Sequence, residues 1–172
     1  LRRQRQMCIR DSPLGGPLGK FKMKDLNTKS SIKELKFDLP ICHEANPINT
    51  LELSSIFKED VQNKYGSDYI NKLIDLKIHS SGFLTGSIDQ VFADNPNHEI
   101  AKWWVLDWKS NWIGSSLSKE HRSSCGPSNY SISRMDEEMY HHHYPLQAHI
   151  YLLALHRFCL LYTSPSPRDG TS

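Results

Sequence analysis

Residues 82–114 read GFLTGSIDQVFADNPNHEIAKWWVLDWKSNWIG, and this stretch decides the fold. Two apolar runs, residues 83–92 and residues 102–108, lie on either side of the turn-forming sequence DNPN at residues 94–97. Apolar runs of this length separated by Asp, Asn and Pro are typical of two strands joined in a hairpin. The second run is rich in Trp, Val and Leu, which predicts a strand buried on both faces.

Each predicted strand carries one carboxylate, Asp89 in the first and Asp107 at the end of the second. A carboxylate is costly to bury in apolar surroundings unless it is paired or binds a metal. Hairpin neighbours can bring both carboxylates to one end of the sheet, and Lys109 lies on the face of Asp107 because strand side chains alternate. Such a set can hold Mg²⁺ and a phosphodiester together. The spacing alone favours the alternative, a surface ion pair at an exposed strand end.

The rest of the chain predicts further strands and helices. Residues 32–39 alternate between apolar and charged side chains, which predicts a half-buried strand that ends at Pro40. Residues 13–31 predict a loop because their first part is rich in Gly and Pro, and residues 115–133 predict a second, longer loop.

Four helices are predicted. Residues 51–65 form the first, and a second, amphipathic helix begins at a cap formed by Ser67 and Asp68. Residues 134–143 predict a third helix. The fourth covers residues 146–158, and its predicted apolar face consists of Leu146, Ile150, Leu153 and Ala154.

The two ends differ in character from the rest of the sequence. QMCIRDS at residues 6–12 and CLLYTSPSPRD at residues 159–169 resemble translations of the two strands of a transposase sequencing adapter. The alternative is a native disordered tail at each end. We predict that residues 1–12 and 159–172 are artefacts and that residues 32–158 form the domain.

Setting the ends aside changes what the composition implies. The net charge of +2 falls to −1 without the +3 of residues 1–12, so charge gives no argument for nucleic-acid binding. Of the four cysteines only Cys42 and Cys125 remain, which excludes a four-cysteine zinc or iron–sulfur site within this chain. The sequence also lacks a phosphate-binding GxxxxGK[ST] loop, so it holds no helicase motor.

Three blocks together carry a family resemblance: GFLTGSID at residues 82–89, LDWKSNW at residues 106–112 and QAHIYLLALHR at residues 147–157. In order and approximate spacing they resemble the C-terminal nuclease domain of the RecB family, the exodeoxyribonuclease V beta chains. The resemblance covers about residues 32–158. It implies an α/β fold with a PD-(D/E)XK restriction-endonuclease-like core, a mixed, mainly antiparallel sheet flanked by helices and truncated at both ends.

The resemblance also implies roles for individual residues. Asp89 and Asp107 would be Mg²⁺ ligands, together with the backbone carbonyl of Trp108, and Lys109 would be the catalytic lysine. The family's QxxxY motif and the residues beside the lysine would support DNA binding, and they correspond here to Gln147, Tyr151, Ser110 and Asn111.

The implied activity is Mg²⁺-dependent hydrolysis of DNA phosphodiesters by an exonuclease that uses water as the nucleophile. The full-length protein would join this domain to a helicase, act in double-strand break repair with partner subunits, and be cytoplasmic. The family's further histidine ligand lies on a helix before the first core strand. No match to it lies upstream of Ile32, so the fragment is expected to lack one metal ligand.

Two other functions remain open. The first is a related nuclease of the same superfamily, such as a phage exonuclease or a CRISPR-associated nuclease. The second is a decayed nuclease fold that serves as a protein-interaction module; the complete set of Asp89, Asp107 and Lys109 is evidence against it, and the missing histidine is evidence for it. At least half of the four tryptophans are predicted to lie in the core and not to stack on bases. His141, His142 and His143 are predicted to be solvated.

Overall fold

A computed structural model describes residues 10–42, 50–76, 82–94, 102–114 and 125–163. The fold is mixed α/β with antiparallel pairing, compatible with a PD-(D/E)XK-like core, which confirms the predicted class. The chain forms two compact units, Leu1–Lys36 with Gly86–Trp108, and Phe37–Thr85 with Lys109–Ser172. Its strands are β1 (Pro13–Gly15), β2 (Gly19–Lys22), β3 (Ser31–Cys42), β4 (Gly82–Ala93) and β5 (Trp103–Leu106), and its helices are α1 (Thr50–Ile74), α2 (Ile132–His141) and α3 (Tyr144–Thr163).

The predicted hairpin is confirmed. β4 and β5 are antiparallel, with Val91 opposite Val105 and Phe92 opposite Trp104. The Asp94 N–H donates to the Lys102 carbonyl at 3.2 Å and closes the ladder on the turn side. Residues 95–97 of the predicted turn lie outside the described residues. β3 completes a three-stranded sheet in the order β3–β4–β5.

β3 shows the alternation that its sequence predicts. Leu35 and Leu39 are buried, whereas Glu34 and Lys36 are exposed. The prediction that the strand ends at Pro40 is wrong, because β3 continues to Cys42. Proline lacks a backbone donor, but its fixed φ is compatible with an extended chain.

The prediction that β5 is buried on both faces is wrong. Trp103 is 42% exposed and the other three residues of β5 are only half-buried. β5 lies at one end of the described sheet order, so β4 is its only described neighbouring strand. The tryptophan prediction is also wrong, since Trp108 and Trp112 are exposed as well and Trp104 is half-buried.

α1 is one helix of 25 residues, so the predicted cap at Ser67 and Asp68 is wrong. Both side chains are exposed, and a helix tolerates Ser and Asp in its interior when they point to solvent. The helix is held by Tyr69 and Leu73, which are fully buried and pack with Phe57 in the core of the second unit. Burial of these two apolar side chains outweighs the local capping signal.

α2 confirms the predicted third helix with both bounds moved two residues towards the N-terminus. α3 begins near Pro145, as predicted, and continues beyond residue 158 to Thr163. Its predicted apolar face is partly wrong because Leu153 is 48% exposed. Its most buried side chains after the first turn are Tyr151, Ala154 and Leu155. No described helix is long and apolar enough to cross a membrane.

Residues 13–31 are not simply a loop. β1 and β2 form a short antiparallel pair, with Gly15 opposite Gly19. Gly15 and Gly19 adopt φ of 71° and 56°, values that favour glycine and allow the tight connection. The Phe21 ring stacks on Phe92 of β4 at 5.5 Å. Residues 115–124 of the predicted second loop lie outside the described residues, and residues 127–130 form a 3₁₀ turn.

Candidate functional site

The two carboxylates predicted to converge lie at the same end of the β4–β5 hairpin. Gln90 is opposite Leu106 in the last pair of the β4–β5 register, with Asp89 just before Gln90 and Asp107 just after Leu106. Both carboxylates are half-buried. The fold therefore places both acidic residues next to the last pair of the hairpin, at the end away from the turn.

Trp108 contributes a backbone contact that the sequence did not predict. Its N–H donates to Asp89 Oδ2 at 2.7 Å, which is short and typical of a hydrogen bond to a carboxylate. This bond fixes the orientation of Asp89 beside the residue that follows Asp107. A carboxylate that accepts one N–H keeps lone pairs for a cation.

These oxygen donors fit Mg²⁺, which is commonly bound through one or two carboxylates and retains several waters. Within the described ranges, no group of three or more His, Cys, Asp or Glu side chains could hold a metal ion. Asp89 and Asp107 are the two carboxylates next to the last pair of the hairpin. His142 belongs to the second unit, where its Nε2 lies 3.1 Å from Glu138 Oε2.

In the second unit, Lys109 is linked to the two residues of the QxxxY motif. Its Nζ donates to Gln147 Oε1 at 2.5 Å, and Gln147 Nε2 donates to the Tyr151 hydroxyl at 2.9 Å. Tyr151 is buried and its ring packs edge-on against Phe37 of β3 at 5.8 Å. A short chain of hydrogen bonds therefore connects the exposed lysine to a side chain fixed in the core.

Asn111 is the centre of a second set of contacts. The Tyr144 hydroxyl donates to Asn111 Oδ1 at 2.9 Å, and Asn111 Nδ2 donates to Glu138 Oε2 at 3.3 Å. The Tyr130 hydroxyl donates to the Asn111 carbonyl at 3.1 Å. Ser110, the other residue predicted to support DNA binding, is exposed. Tyr144 and Glu138 were not predicted, although Tyr144 stands three residues before Gln147, a spacing that places both on one helix face.

No family model matches this chain. Among curated proteins it is similar to RecBCD enzyme subunit RecB of Buchnera aphidicola subsp. Baizongia pistaciae, with 36% identity over 138 residues and 80% of this chain covered. The protein of the same name from Haemophilus influenzae is 30% identical over 159 residues, covering 87% of this chain, and that from Escherichia coli K12 is 29% identical over 136 residues, covering 79%.

The chain contains a RecB-type region. It spans about a tenth of the length of these relatives, since each alignment covers 10% of the relative.

The RecB-type region includes the junction between α2 and α3, which sets the start of the helix that carries Gln147. His143 joins the helices with φ of 55°, and its carbonyl accepts the Gln147 N–H at 3.0 Å. Lys72 of α1 caps the end of α2, with Nζ 2.9 Å from the His141 carbonyl. Burial lowers the pKa of His143, and the charges of Lys72 and His141 act in the same direction. The junction therefore favours a neutral imidazole.

A cavity of about 140 Å³ lies beside Lys109 in the same unit of the RecB-type region. Tyr130 and Tyr144 line it together with apolar residues such as Ile113 and Met139. A hydrogen bond with the Cys125 side chain raises the pKa of Tyr130. Two tyrosines therefore border one cavity and both contact Asn111.

Proposed function

We propose that this RecB-type region is the catalytic part of a Mg²⁺-dependent DNA exonuclease domain. The full-length protein would be a helicase–nuclease subunit that acts in the repair of double-strand breaks by recombination. The observation that carries the proposal is that Asp89 and Asp107 both adjoin the last pair of the β4–β5 hairpin, in a region similar to proteins named RecBCD enzyme subunit RecB. That name supports a complex of several subunits; the proposed substrate is DNA, and the proposed location is the cytoplasm.

Asp89 and Asp107 would hold the Mg²⁺ ion, with the Trp108 carbonyl as a further oxygen ligand. When bound, Mg²⁺ lowers the pKa of a water ligand and stabilises negative charge on the phosphate. The Trp108 N–H holds the Asp89 carboxylate in one orientation, which reduces the reorganisation that binding a cation requires. Water is the nucleophile, so no side chain of this chain forms a covalent intermediate.

Lys109 would orient the attacking water or neutralise the charge that develops on the phosphate. The ammonium is a flexible point charge on a long side chain, so its position depends on its partners. Gln147 accepts a hydrogen bond from it, and Tyr151 in turn holds Gln147. Asp107 and Lys109 are two residues apart in the sequence, which supports a shared role.

Long-range attraction to DNA would not come from this region. Residues 13–158 carry a net charge of −1, and non-specific affinity for DNA depends on positive charge. Ser110 and Asn111 would therefore support a strand that is delivered by the rest of the protein and its partner subunits.

Digestion of linear DNA by the full-length parent protein tests the proposal. We expect digestion with Mg²⁺, its loss when EDTA removes the metal, and its return when Mg²⁺ is added back in excess. Digestion that persists after the metal is removed would exclude the proposed chemistry. A parent protein that assembles with partner subunits but digests no DNA with Mg²⁺ would support the interaction module instead. The parent sequence is also expected to contain helicase motifs before this region and a histidine-bearing helix upstream of residue 32.

A further inference from the structure

The position of the Lys109 ammonium depends on more than the QxxxY motif. Besides donating to Gln147 Oε1, its Nζ lies over the Tyr144 ring, 4.0 Å from the centroid. This distance is well inside the range of about 6 Å in which an aromatic face attracts a cation. The ring and the Gln147 oxygen belong to the same helix, three residues apart. Together they define where the end of a long, flexible side chain lies.

The Tyr144 ring is itself held by its neighbours. Its hydroxyl donates to Asn111 Oδ1 at 2.9 Å, so rotation of the ring would break a hydrogen bond. The His142 ring also stacks against it, with centroids 5.4 Å apart and an angle of 20° between the planes. A ring that is fixed in this way can act as a rigid platform for a cation.

Glu138 anchors the arrangement from α2. Its Oε2 accepts a hydrogen bond from Asn111 Nδ2 at 3.3 Å and lies 3.1 Å from His142 Nε2. The side-chain amide of Asn111 donates through Nδ2 and accepts through Oδ1. Because Nδ2 donates to the Glu138 carboxylate, Oδ1 is oriented to accept from the Tyr144 hydroxyl. One acidic residue of α2 therefore contacts two of the groups that hold the Tyr144 side chain, Asn111 and His142.

We propose that Tyr144 is a positioning residue for Lys109, and that Glu138 sets the Tyr144 ring through Asn111. The inference rests on the function proposed above, because it assumes that Lys109 acts on the phosphodiester. Tyr144 does not touch the reacting atoms. The Tyr144 ring restricts the Lys109 ammonium to one position. Loss of the ring therefore lowers the rate of cleavage and leaves the affinity for DNA unchanged.

Single-turnover digestion of end-labelled duplex DNA by the full-length protein separates the contribution of the Tyr144 ring to the cleavage rate from that of its hydroxyl. Tyr144→Leu removes the ring and is expected to lower the rate about tenfold, with the dissociation constant for DNA unchanged. Tyr144→Phe keeps the ring and is expected to lower the rate less than about threefold. Tyr130→Leu is the matched control, since Tyr130 also donates to Asn111 and lines the same cavity, and we expect it to be as active as the wild type.

Glu138→Ala gives an independent measurement if Tyr144→Leu does not fold. We expect it to slow cleavage alone by the same factor as Tyr144→Phe, less than about threefold, and to add nothing in the Tyr144→Phe background, where the bond it supports is already absent. A rate of Tyr144→Leu equal to the wild type, or an equal loss in Tyr130→Leu, would overturn the inference. The Lys109→Ala variant distinguishes a failure of the proposed function from a failure of the role assigned to Tyr144. If it digests DNA normally, the proposed function fails, whereas an inactive Lys109→Ala beside an active Tyr144→Leu refutes only the role of Tyr144.

Discussion

Replacing Asp107 with alanine in the full-length protein is expected to lower Mg²⁺-dependent DNA digestion about 10³-fold or more while ATP hydrolysis is unchanged. The change removes one of the two carboxylates at the end of the hairpin away from the turn, and the remaining Asp89 is a poor site for a divalent cation alone. Digestion of labelled linear DNA and ATP hydrolysis measured on the same preparation would separate loss of nuclease chemistry from loss of folding.

Asp94→Ala is the matched control for this variant. Asp94 is a half-buried carboxylate of the same hairpin, but it stands at the turn end, where its backbone N–H pairs with the Lys102 carbonyl. We expect Asp94→Ala to digest DNA like the wild type, because the alanine keeps this backbone bond. If Asp107→Ala and Asp94→Ala lose DNA digestion equally, both carboxylates support the folding of the hairpin, and Asp107 has no special role at one end of it.

Lys109→Ala has the second-largest expected effect. We expect the single-turnover rate of DNA cleavage to fall about 10²-fold, since the variant loses the charge that would orient water or neutralise the phosphate. The affinities for Mg²⁺ and DNA are expected to change little, because the proposed ligands are carboxylates and the rest of the protein delivers the strand. Rates and dissociation constants measured separately would show this split.

The control for Lys109 is Lys102→Ala, which removes an exposed lysine just before β5. Its digestion rate is expected to equal that of the wild type. If Lys109→Ala instead weakens DNA binding and leaves the cleavage rate intact, Lys109 is a phosphate contact and not part of the chemistry.

The sequence predicted the hairpin because both of its signals are local. The apolar runs and the turn residues 94–97 specify two adjacent strands, and an antiparallel pair places Asp89 and Asp107 at the same end of the hairpin without help from distant residues. The alternation in residues 32–39 is local in the same sense, and it correctly predicted Leu35 and Leu39 as buried.

The wrong predictions concern features that depend on contacts between distant parts of the chain. Ser67 and Asp68 form a good local cap, but burial of Tyr69 and Leu73 in the core keeps α1 continuous through them. The apolarity of β5 indicates a strand and does not show how many strands cover it, so Trp103 was predicted to be buried. Apolar composition alone cannot distinguish a central strand from one at the end of a sheet.

The contacts around Lys109 were only half predictable. Gln147 and Tyr151 have a recognisable spacing on one helix, and a family resemblance indicated them. The links from Asn111 to Glu138 and Tyr144 join residues 27 and 33 positions apart. No local pattern specifies such pairs, so they emerge only from the packing of α2 and α3.

Mn²⁺ binding followed by electron paramagnetic resonance tests the carboxylate pair most directly, because it does not depend on activity. In the absence of nucleotide, the full-length protein is expected to bind Mn²⁺ in competition with Mg²⁺. The Asp89→Asn, Asp107→Asn double variant is expected to lose about 100-fold or more in affinity, since it removes both charged ligands and keeps their size. An unchanged Mn²⁺ affinity in the double variant would contradict the assignment of a metal site to this end of the hairpin.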